Sequence, residues 1–94
     1  MIYEFNGNLI NGLYYFYSGW ASKCRLIQDR LEKISKSNPN LVIVRINTTK
    51  FPGLKKNFNV TKIPSYLFII DGKIKKRLDG NIDLLTLTNW INEE

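Results

Sequence analysis

Residues 41–46, LVIVRI, constrain the fold of this chain more than any other stretch. Five of the six side chains are apolar, and four of them are β-branched. Such a near-continuous apolar run is typical of a strand that is covered on both faces. It therefore predicts a central strand of an α/β domain rather than a strand with one face in water.

The two segments before this strand extend the pattern. Residues 13–17, LYYFY, form a short aromatic run that is typical of a buried strand. Between the two runs, from residue 22 to about residue 37, apolar side chains recur three and four positions apart, which predicts a helix. Strand, helix and strand imply a right-handed βαβ unit with parallel strands. Its buried stripe should hold Cys24, Ile27, Leu31 and Ile34, with Leu26 widening it.

The second half of the chain predicts a hairpin and a last helix. Asp71-Gly72 is a strong hairpin turn, so residues 65–70 and 73–78 should pair antiparallel, with the lysine-rich strand at an edge. A short helix is expected over 54–58, a last helix over 82–92 with Leu85 and Trp90 flanking its stripe, and a small first strand over 2–5. We therefore predict a single α/β domain over residues 1–94, with a mixed central sheet and helices on both faces.

Composition excludes several kinds of chemistry. The chain has no histidine, so neither a Ser-His-Asp triad nor a Cys-His pair can be present. With one cysteine and no histidine, a zinc site is not credible either. No glycine-rich loop matches a nucleotide-binding motif, and we expect no cofactor. We find neither a signal peptide nor an apolar run long enough to span a bilayer, and a single cysteine cannot form an internal disulfide. A monomer in a reducing cytoplasm, away from membranes, is the expectation.

The net charge of +6 raises the question of a polyanionic partner. The densest basic cluster is Lys73, Lys75 and Lys76-Arg77, but it lacks both interleaved aromatics and a helix-turn-helix pattern. We therefore interpret the charge as a lysine-rich surface and do not expect nucleic acid to bind. An acidic protein partner would fit the charge equally well.

The segment WASKC, residues 20–24, resembles the Trp-Cys-x-x-Cys segment of thioredoxins, with Ala21 in place of the first cysteine. Ile63-Pro64 resembles the Ile-Pro pair whose proline is cis in that family. The loop at 47–52, the strand and turn at 68–72, Gly80 and the helix ending in Trp90-Ile91 also agree in spacing. The chain thus resembles a small thioredoxin or a glutaredoxin-sized variant.

The resemblance implies a function in thiol–disulfide exchange. Protein or peptide disulfides would be the substrates, and a reductase or a small thiol would donate electrons. Ala21 falls at the attacking position and Cys24 at the resolving position. Substrate binding is implied for Trp20, Ser22, Lys23, Ile63 and Pro64, and no metal is implied.

Two further departures from the family accompany Ala21. Tyr15 falls where many thioredoxins bury an aspartate, and about a dozen residues precede Leu13, too few for the usual first strand and long first helix. We expect Tyr15 in the core, and the role of its hydroxyl near Cys24 stays open.

Three interpretations of Ala21 follow. The natural protein has Cys at position 21 and this sequence is an inactive variant; or Ala21 is natural and the domain binds extended peptides beside Ile63-Pro64; or Cys24 acts alone as a monothiol or redox sensor. The third requires an exposed thiol, which the place of Cys24 on the buried stripe argues against.

Overall fold

A computed structural model describes residues 1–19 and 22–93, with only the backbone described at residues 22 and 23. The strands in this part of the chain are β1 (Ile2–Glu4), β2 (Gly12–Tyr17), β3 (Ile43–Asn47), β4 (Ser65–Ile70) and β5 (Lys73–Asp79). The helices are α1 (Ser22–Ser37), α2 (Pro52–Asn57) and α3 (Leu84–Asn92).

The strands form one mixed sheet in the order β1-β3-β2-β4-β5. β3 pairs in parallel with both β1 and β2, whereas β4 runs antiparallel to β2 and β5 antiparallel to β4. The run at 41–46 thus supplies the strand between β1 and β2, and the lysine-rich strand β5 lies at an edge. The predicted α/β fold with a mixed central sheet is confirmed.

Alternate side chains of the strands point into two apolar clusters, one on each face of the sheet. On one face, α1 and α3 pack over Leu13, Tyr15 and Tyr66. On the other, α2 contributes Leu54 to a cluster that contains Tyr14, whose side chain is fully buried. Because both faces are covered, β2 has no polar side, as its aromatic sequence indicated.

Some sequence-based predictions were wrong in detail. Leu26 is 51% exposed, so it does not widen the buried stripe of α1, and Leu85, expected beside the stripe of the last helix, is 71% exposed. β3 begins at Ile43, two residues later than expected, and α3 begins at Leu84. Helix α2 begins earlier than expected, at Pro52, because proline suits the first turn of a helix, where its missing N–H is not needed.

A seven-residue crossover, residues 5–11, joins the parallel strands β1 and β2. β1 and β2 lie on either side of β3, and a connection between parallel strands of one sheet usually requires a dozen or more residues and a helix. Here the Tyr14 hydroxyl holds the crossover instead: it accepts from the Ile10 N–H at 2.8 Å and donates to the Ile10 carbonyl at 2.6 Å. Phe5, at the start of the crossover, packs edge-on against Phe51 before α2.

Close contacts and capping groups fix the ends of the elements. Gly12 begins β2 so close to β3 that an added Cβ would lie 2.7 Å from the Val42 carbonyl oxygen. Asp83 caps α3, because its carboxylate accepts from the Thr86 N–H at 2.8 Å.

Two basic residues of β5 bind backbone carbonyls elsewhere in the fold. The Lys76 ammonium donates to the carbonyls of Trp90 and Glu93 at the end of α3, and it lies over the rings of Phe68 and Trp90. The Arg77 guanidinium donates to the Phe58 carbonyl just after α2. Both side chains therefore join the edge strand to a neighbouring helix.

Candidate functional site

The order of the strands brings the two predicted site segments to one end of the sheet. β2 ends at Tyr17, directly before the segment that leads into α1. β4 begins at Ser65, directly after Ile63-Pro64, and Phe16 of β2 pairs with Ser65. Because the two strands are adjacent and antiparallel, the chain leaving β2 and the chain entering β4 lie side by side.

Cys24 lies in the first turn of α1 and is buried, with 5% of its surface exposed. It packs into the cluster that also contains Leu13, Tyr15 and Ile27. Its thiol forms no disulfide, and the sequence offers no second cysteine. The prediction that Cys24 lies on the buried stripe of α1 is confirmed, so this thiol behaves as a small apolar side chain.

Of the other predicted site residues, the structure describes Ile63 and Pro64 in full and the remainder in part or not at all. Trp20 and Ala21 lie outside the described residues, and the side chains of Ser22 and Lys23 lie outside them as well. Ile63 is half-buried and packs against both apolar clusters. Pro64 is buried, and the peptide bond that joins it to Ile63 is cis.

Hydrogen bonds hold the loop around Pro64 at both ends. The Gly80 N–H donates to the Pro64 carbonyl at 2.8 Å, which ties the loop to the end of β5. The buried Ser65 hydroxyl donates to the Lys62 carbonyl at 2.5 Å. The backbone that enters β4 is therefore held in place by bonds within the fold.

Among the residues that the structure describes, Tyr15 forms a side-chain hydrogen bond to Cys24. Its hydroxyl donates to the Cys24 carbonyl at 2.9 Å, in a fully buried position. Burial raises the pKa of Tyr15 well above the ordinary value for tyrosine, and the nearby thiol side chain of Cys24 is a further cause. Tyr15 therefore stays protonated near neutral pH and cannot accept a proton from a thiol.

Tyr15 is also the centre of an aromatic stack beneath α1. Its ring stacks on Tyr17 at 5.5 Å and on Tyr66 at 5.9 Å between ring centroids. The Tyr66 hydroxyl donates to the Gly80 carbonyl at 2.9 Å. The sequence indicated that Tyr15 is a core residue but could not show its hydrogen bond, since that partner is a backbone atom nine residues away.

A charged group beside this stack was not predicted as part of the site. Glu4 accepts from the Tyr17 hydroxyl at 3.0 Å and forms an ion pair with Arg45, also at 3.0 Å. The Arg45 guanidinium lies 4.5 Å from the centre of the Tyr17 ring. Burial, and then the hydrogen bond to Glu4, raise the pKa of Tyr17. The one sequence signal for this group was Arg45 itself, a cation in an apolar strand.

Metal and membrane sites are not found in the part of the chain that the structure describes. There, no three histidine, cysteine or acidic side chains come close enough to hold a metal ion. No helix among residues 1–19 and 22–93 is long and apolar enough to cross a bilayer.

Comparison with known proteins identifies the family. The sequence profile of the thioredoxin family matches residues 4–93. This chain belongs to the thioredoxin family. That membership confirms the resemblance drawn from the sequence, and it covers nearly the whole chain.

Individual thioredoxins are similar over most of this chain. It is 28% identical over 79 residues to a chloroplastic M-type thioredoxin of Spinacia oleracea, covering 83% of this chain and 44% of that protein. It is 27% identical over 79 residues to a thioredoxin of Griffithsia pacifica, covering 83% of this chain and 72% of that protein. The X-ray structure of Fasciola hepatica thioredoxin superposes with a TM-score of 0.77 at 25% identity, over 84% of this chain and 75% of that one.

The lengths of these proteins differ from that of this chain. The match spans between 40% and 54% of the lengths of the spinach protein, a chloroplastic thioredoxin Y2 of Arabidopsis thaliana and the thioredoxin C-3 of Corynebacterium nephridii. This chain thus corresponds to about half of each of these relatives.

Proposed function

We propose that this domain is built for thiol–disulfide exchange on protein disulfides, and that this chain is an inactive form because Ala21 occupies the attacking position. The observation that carries the proposal is the place of Cys24. Its thiol lies in the first turn of the helix that follows β2, at the end of the sheet where the Ile63-Pro64 loop enters β4. A resolving thiol requires this setting, because it has to attack a sulfur that is held at the helix start.

The chemistry explains why one sulfur is not enough. An attacking thiolate at position 21 would form a mixed disulfide with the substrate and release one substrate thiol. The thiolate of Cys24 would then attack the sulfur at position 21, releasing the second substrate thiol and leaving an internal disulfide. Two electrons pass from the domain to the substrate in this cycle. With Ala21, the first covalent bond cannot form.

Cys24 is poorly placed to take over the attacking role. Its 5% exposure leaves little room for a substrate sulfur to approach in line. Reactive thiols are exposed and lie in electropositive surroundings, whereas buried ones are inert. The burial of Cys24 therefore argues against the interpretation as a lone monothiol or redox sensor.

The remaining parts of the proposal follow from the family. Trp20, Ser22, Lys23, Ile63 and Pro64 would hold the substrate chain around the reacting sulfurs. A reductase or a small thiol would return the electrons, in a reducing cytoplasm. We treat residues 1–94 as one domain that carries the whole site.

The test is to restore the missing thiol. Ala21→Cys should form a reversible internal disulfide with Cys24, counted as the loss of two thiols per chain, with a potential of about −270 to −200 mV. The variant should also reduce the disulfides of insulin, whereas Ala21→Ser and the unaltered chain should not. An Ala21→Cys protein that folds but forms no such disulfide would overturn the proposal.

A second function is favoured by Tyr15. Its hydroxyl is a buried donor with a raised pKa, so it cannot serve as the base that receives the proton of the Cys24 thiol. Both the nucleophile and a nearby base would then be missing. We therefore propose, as the alternative, that the domain binds extended peptides beside Ile63-Pro64 without chemistry.

The two functions can be separated by one additional variant. Ala21→Cys and Ala21→Cys with Tyr15→Asp would be compared for the rate of insulin reduction. If only the double variant reduces insulin at the rate of an ordinary dithiol thioredoxin, the present site lacks a catalytic base, and binding is the better description. Selection of peptides from a displayed library, with Ile63→Asp as the control, would then identify what binds.

A further inference from the structure

We propose that two copies of this chain associate through an apolar patch formed by Met1, Tyr3, Leu9 and Ile10, together with the free edge of β1. Of the large apolar side chains that are exposed in the described residues, these four lie within the first ten positions, with exposures of 64%, 43%, 51% and 46%. The proposal departs from the monomer that the sequence suggested.

Contacts relate three of the four patch residues, Met1, Tyr3 and Ile10, and Leu9 precedes Ile10 in the chain. The Tyr3 hydroxyl contacts the Met1 sulfur at 3.3 Å. Tyr3 and Ile10 line the same cavity of about 190 Å³, whose lining also includes Phe5 and Val44. This cavity lies between β1 and the short crossover, because seven residues without a helix cover the sheet less completely than a helix would. The crossover, residues 5–11, thus leaves apolar surface exposed between itself and β1.

The distribution of charge favours a second copy as the occupant. All fourteen lysine and arginine residues fall in residues 23–94, and residues 1–22 contain none. Each copy has a net charge of +6, so most ways of bringing two copies together place positive charges close to one another. The other exposed apolar side chains stand among these cations: Ile74 lies between Lys73 and Lys75, and Leu26 follows Arg25. The cations that the structure places beside β1 are already engaged, since the Met1 ammonium donates to the Leu41 carbonyl at 2.9 Å and Arg45 is paired with Glu4. An interface at the patch therefore brings less unpaired positive charge together than one at Ile74 or Leu26.

The acidic residue near the patch does not oppose association. Glu4, which lines the same cavity, is already paired with Arg45 at 3.0 Å and with the Tyr17 hydroxyl. A second copy would therefore meet no unpaired carboxylate there.

The edge of β1 gives the pair its geometry. β1 lies at the end of the sheet, so one row of its backbone groups has no neighbouring strand among the described residues. Two β1 strands can pair antiparallel about a two-fold axis, because the same edge then meets itself. Two-fold symmetry is the commonest symmetry of dimers. With Tyr3 at the middle of Ile2–Glu4, the two Tyr3 side chains would lie opposite each other.

Sedimentation velocity over a range of concentrations tests the proposal. The chain should shift from monomer to dimer as its concentration rises. Leu9→Lys should weaken the dimer at least about tenfold, since a two-fold interface contains each substitution twice. Leu26→Lys is the matched control, because Leu26 is also 51% exposed, and it should leave the dimer unchanged.

A cross-link tests the geometry without relying on a charge. Tyr3→Cys should form a disulfide-linked dimer on mild oxidation, whereas Leu26→Cys should not, and the buried Cys24 should stay unreacted. A chain that remains monomeric up to about 1 mM would overturn the proposal, and the patch would then suit a different partner, such as an apolar helix. Equal weakening by Leu9→Lys and Leu26→Lys would also overturn it.

Discussion

The hydrogen bond from Tyr15 to the first turn of α1 can be removed with little change in shape. Tyr15→Phe deletes the one oxygen that donates to the Cys24 carbonyl at 2.9 Å. That carbonyl lies within α1 and keeps the helical acceptor role toward the amide four residues later, so no bare acceptor remains. We expect the free energy of unfolding to fall by about 1 kcal/mol. For a domain of this size, Tm should fall by roughly 4–8 °C.

Urea unfolding, followed by circular dichroism, measures this loss, and the slope with urea should not change. Tyr66→Phe is the matched control, because it removes a hydrogen bond of the same length, to the Gly80 carbonyl. Labelling of Cys24 by a thiol reagent distinguishes the two variants. Opening of the first turn of α1 should become about fivefold more frequent in Tyr15→Phe, the equivalent of 1 kcal/mol, and should not change in Tyr66→Phe.

The same variant changes the response to alkali. Burial raises the pKa of Tyr15 above 10.0, its value in an unfolded chain. Above about pH 10 the folded state therefore holds more protons than the unfolded state, and stability falls as pH rises, by up to about 1.4 kcal/mol per pH unit for each such tyrosine. Tyr15→Phe should make this decline shallower. A decline identical to that of the unaltered chain, or unchanged Cys24 labelling, would refute the role given to Tyr15.

Three further substitutions test the packing and capping. Leu31→Ala should cost about 2–5 kcal/mol in urea unfolding because Leu31 is fully buried, whereas Leu26→Ala should change stability by less than about 0.5 kcal/mol; equal losses would contradict the assigned faces of α1. Gly12→Ala should cost about 1–3 kcal/mol, since its Cβ would meet the Val42 carbonyl just before β3, but Gly53→Ala, with open space around it, should not destabilise the fold. Asp83→Ala should lower Tm at pH 7. Because the cap lowers the pKa of this carboxyl, the difference in Tm between the variant and the unaltered chain should vanish as pH falls through that pKa. A difference in Tm that persists at pH 2 would rule out the cap.

The central part of the fold could be predicted because several sequence signals agreed there. β-branched and aromatic runs flank a helical period, and an Asp-Gly turn separates two strand-like segments. In the structure, Asp71 has φ of 52° and Gly72 of 77°, the backbone that such a turn requires. The parallel pairing of β2 with β3 and the edge position of β5 followed from these signals.

The rest could not be predicted because it depends on contacts between distant residues. Leu26 fits a helical stripe by spacing, yet none of the described helices and strands buries that side of α1, so the side chain is exposed. The bond from Tyr15 to the Cys24 carbonyl and the bond from Tyr14 to Ile10 both join side chains to backbone atoms, which carry no residue-specific signal. The group formed by Glu4, Tyr17 and Arg45 requires three strands to assemble before it exists.

The tethered cations of β5 have a consequence for chemical footprinting. An amine-reactive probe should modify Lys73 and Lys75 readily, whereas the Lys76 amine is held by two carbonyls and two rings and should react late. Arg77 is likewise committed to the Phe58 carbonyl. Two of the four cations in the densest basic cluster thus also hold the fold together. A polyanion that contacts this edge of the sheet would still meet four positive charges, but Lys76 and Arg77 could reorient toward it only by giving up bonds to backbone carbonyls.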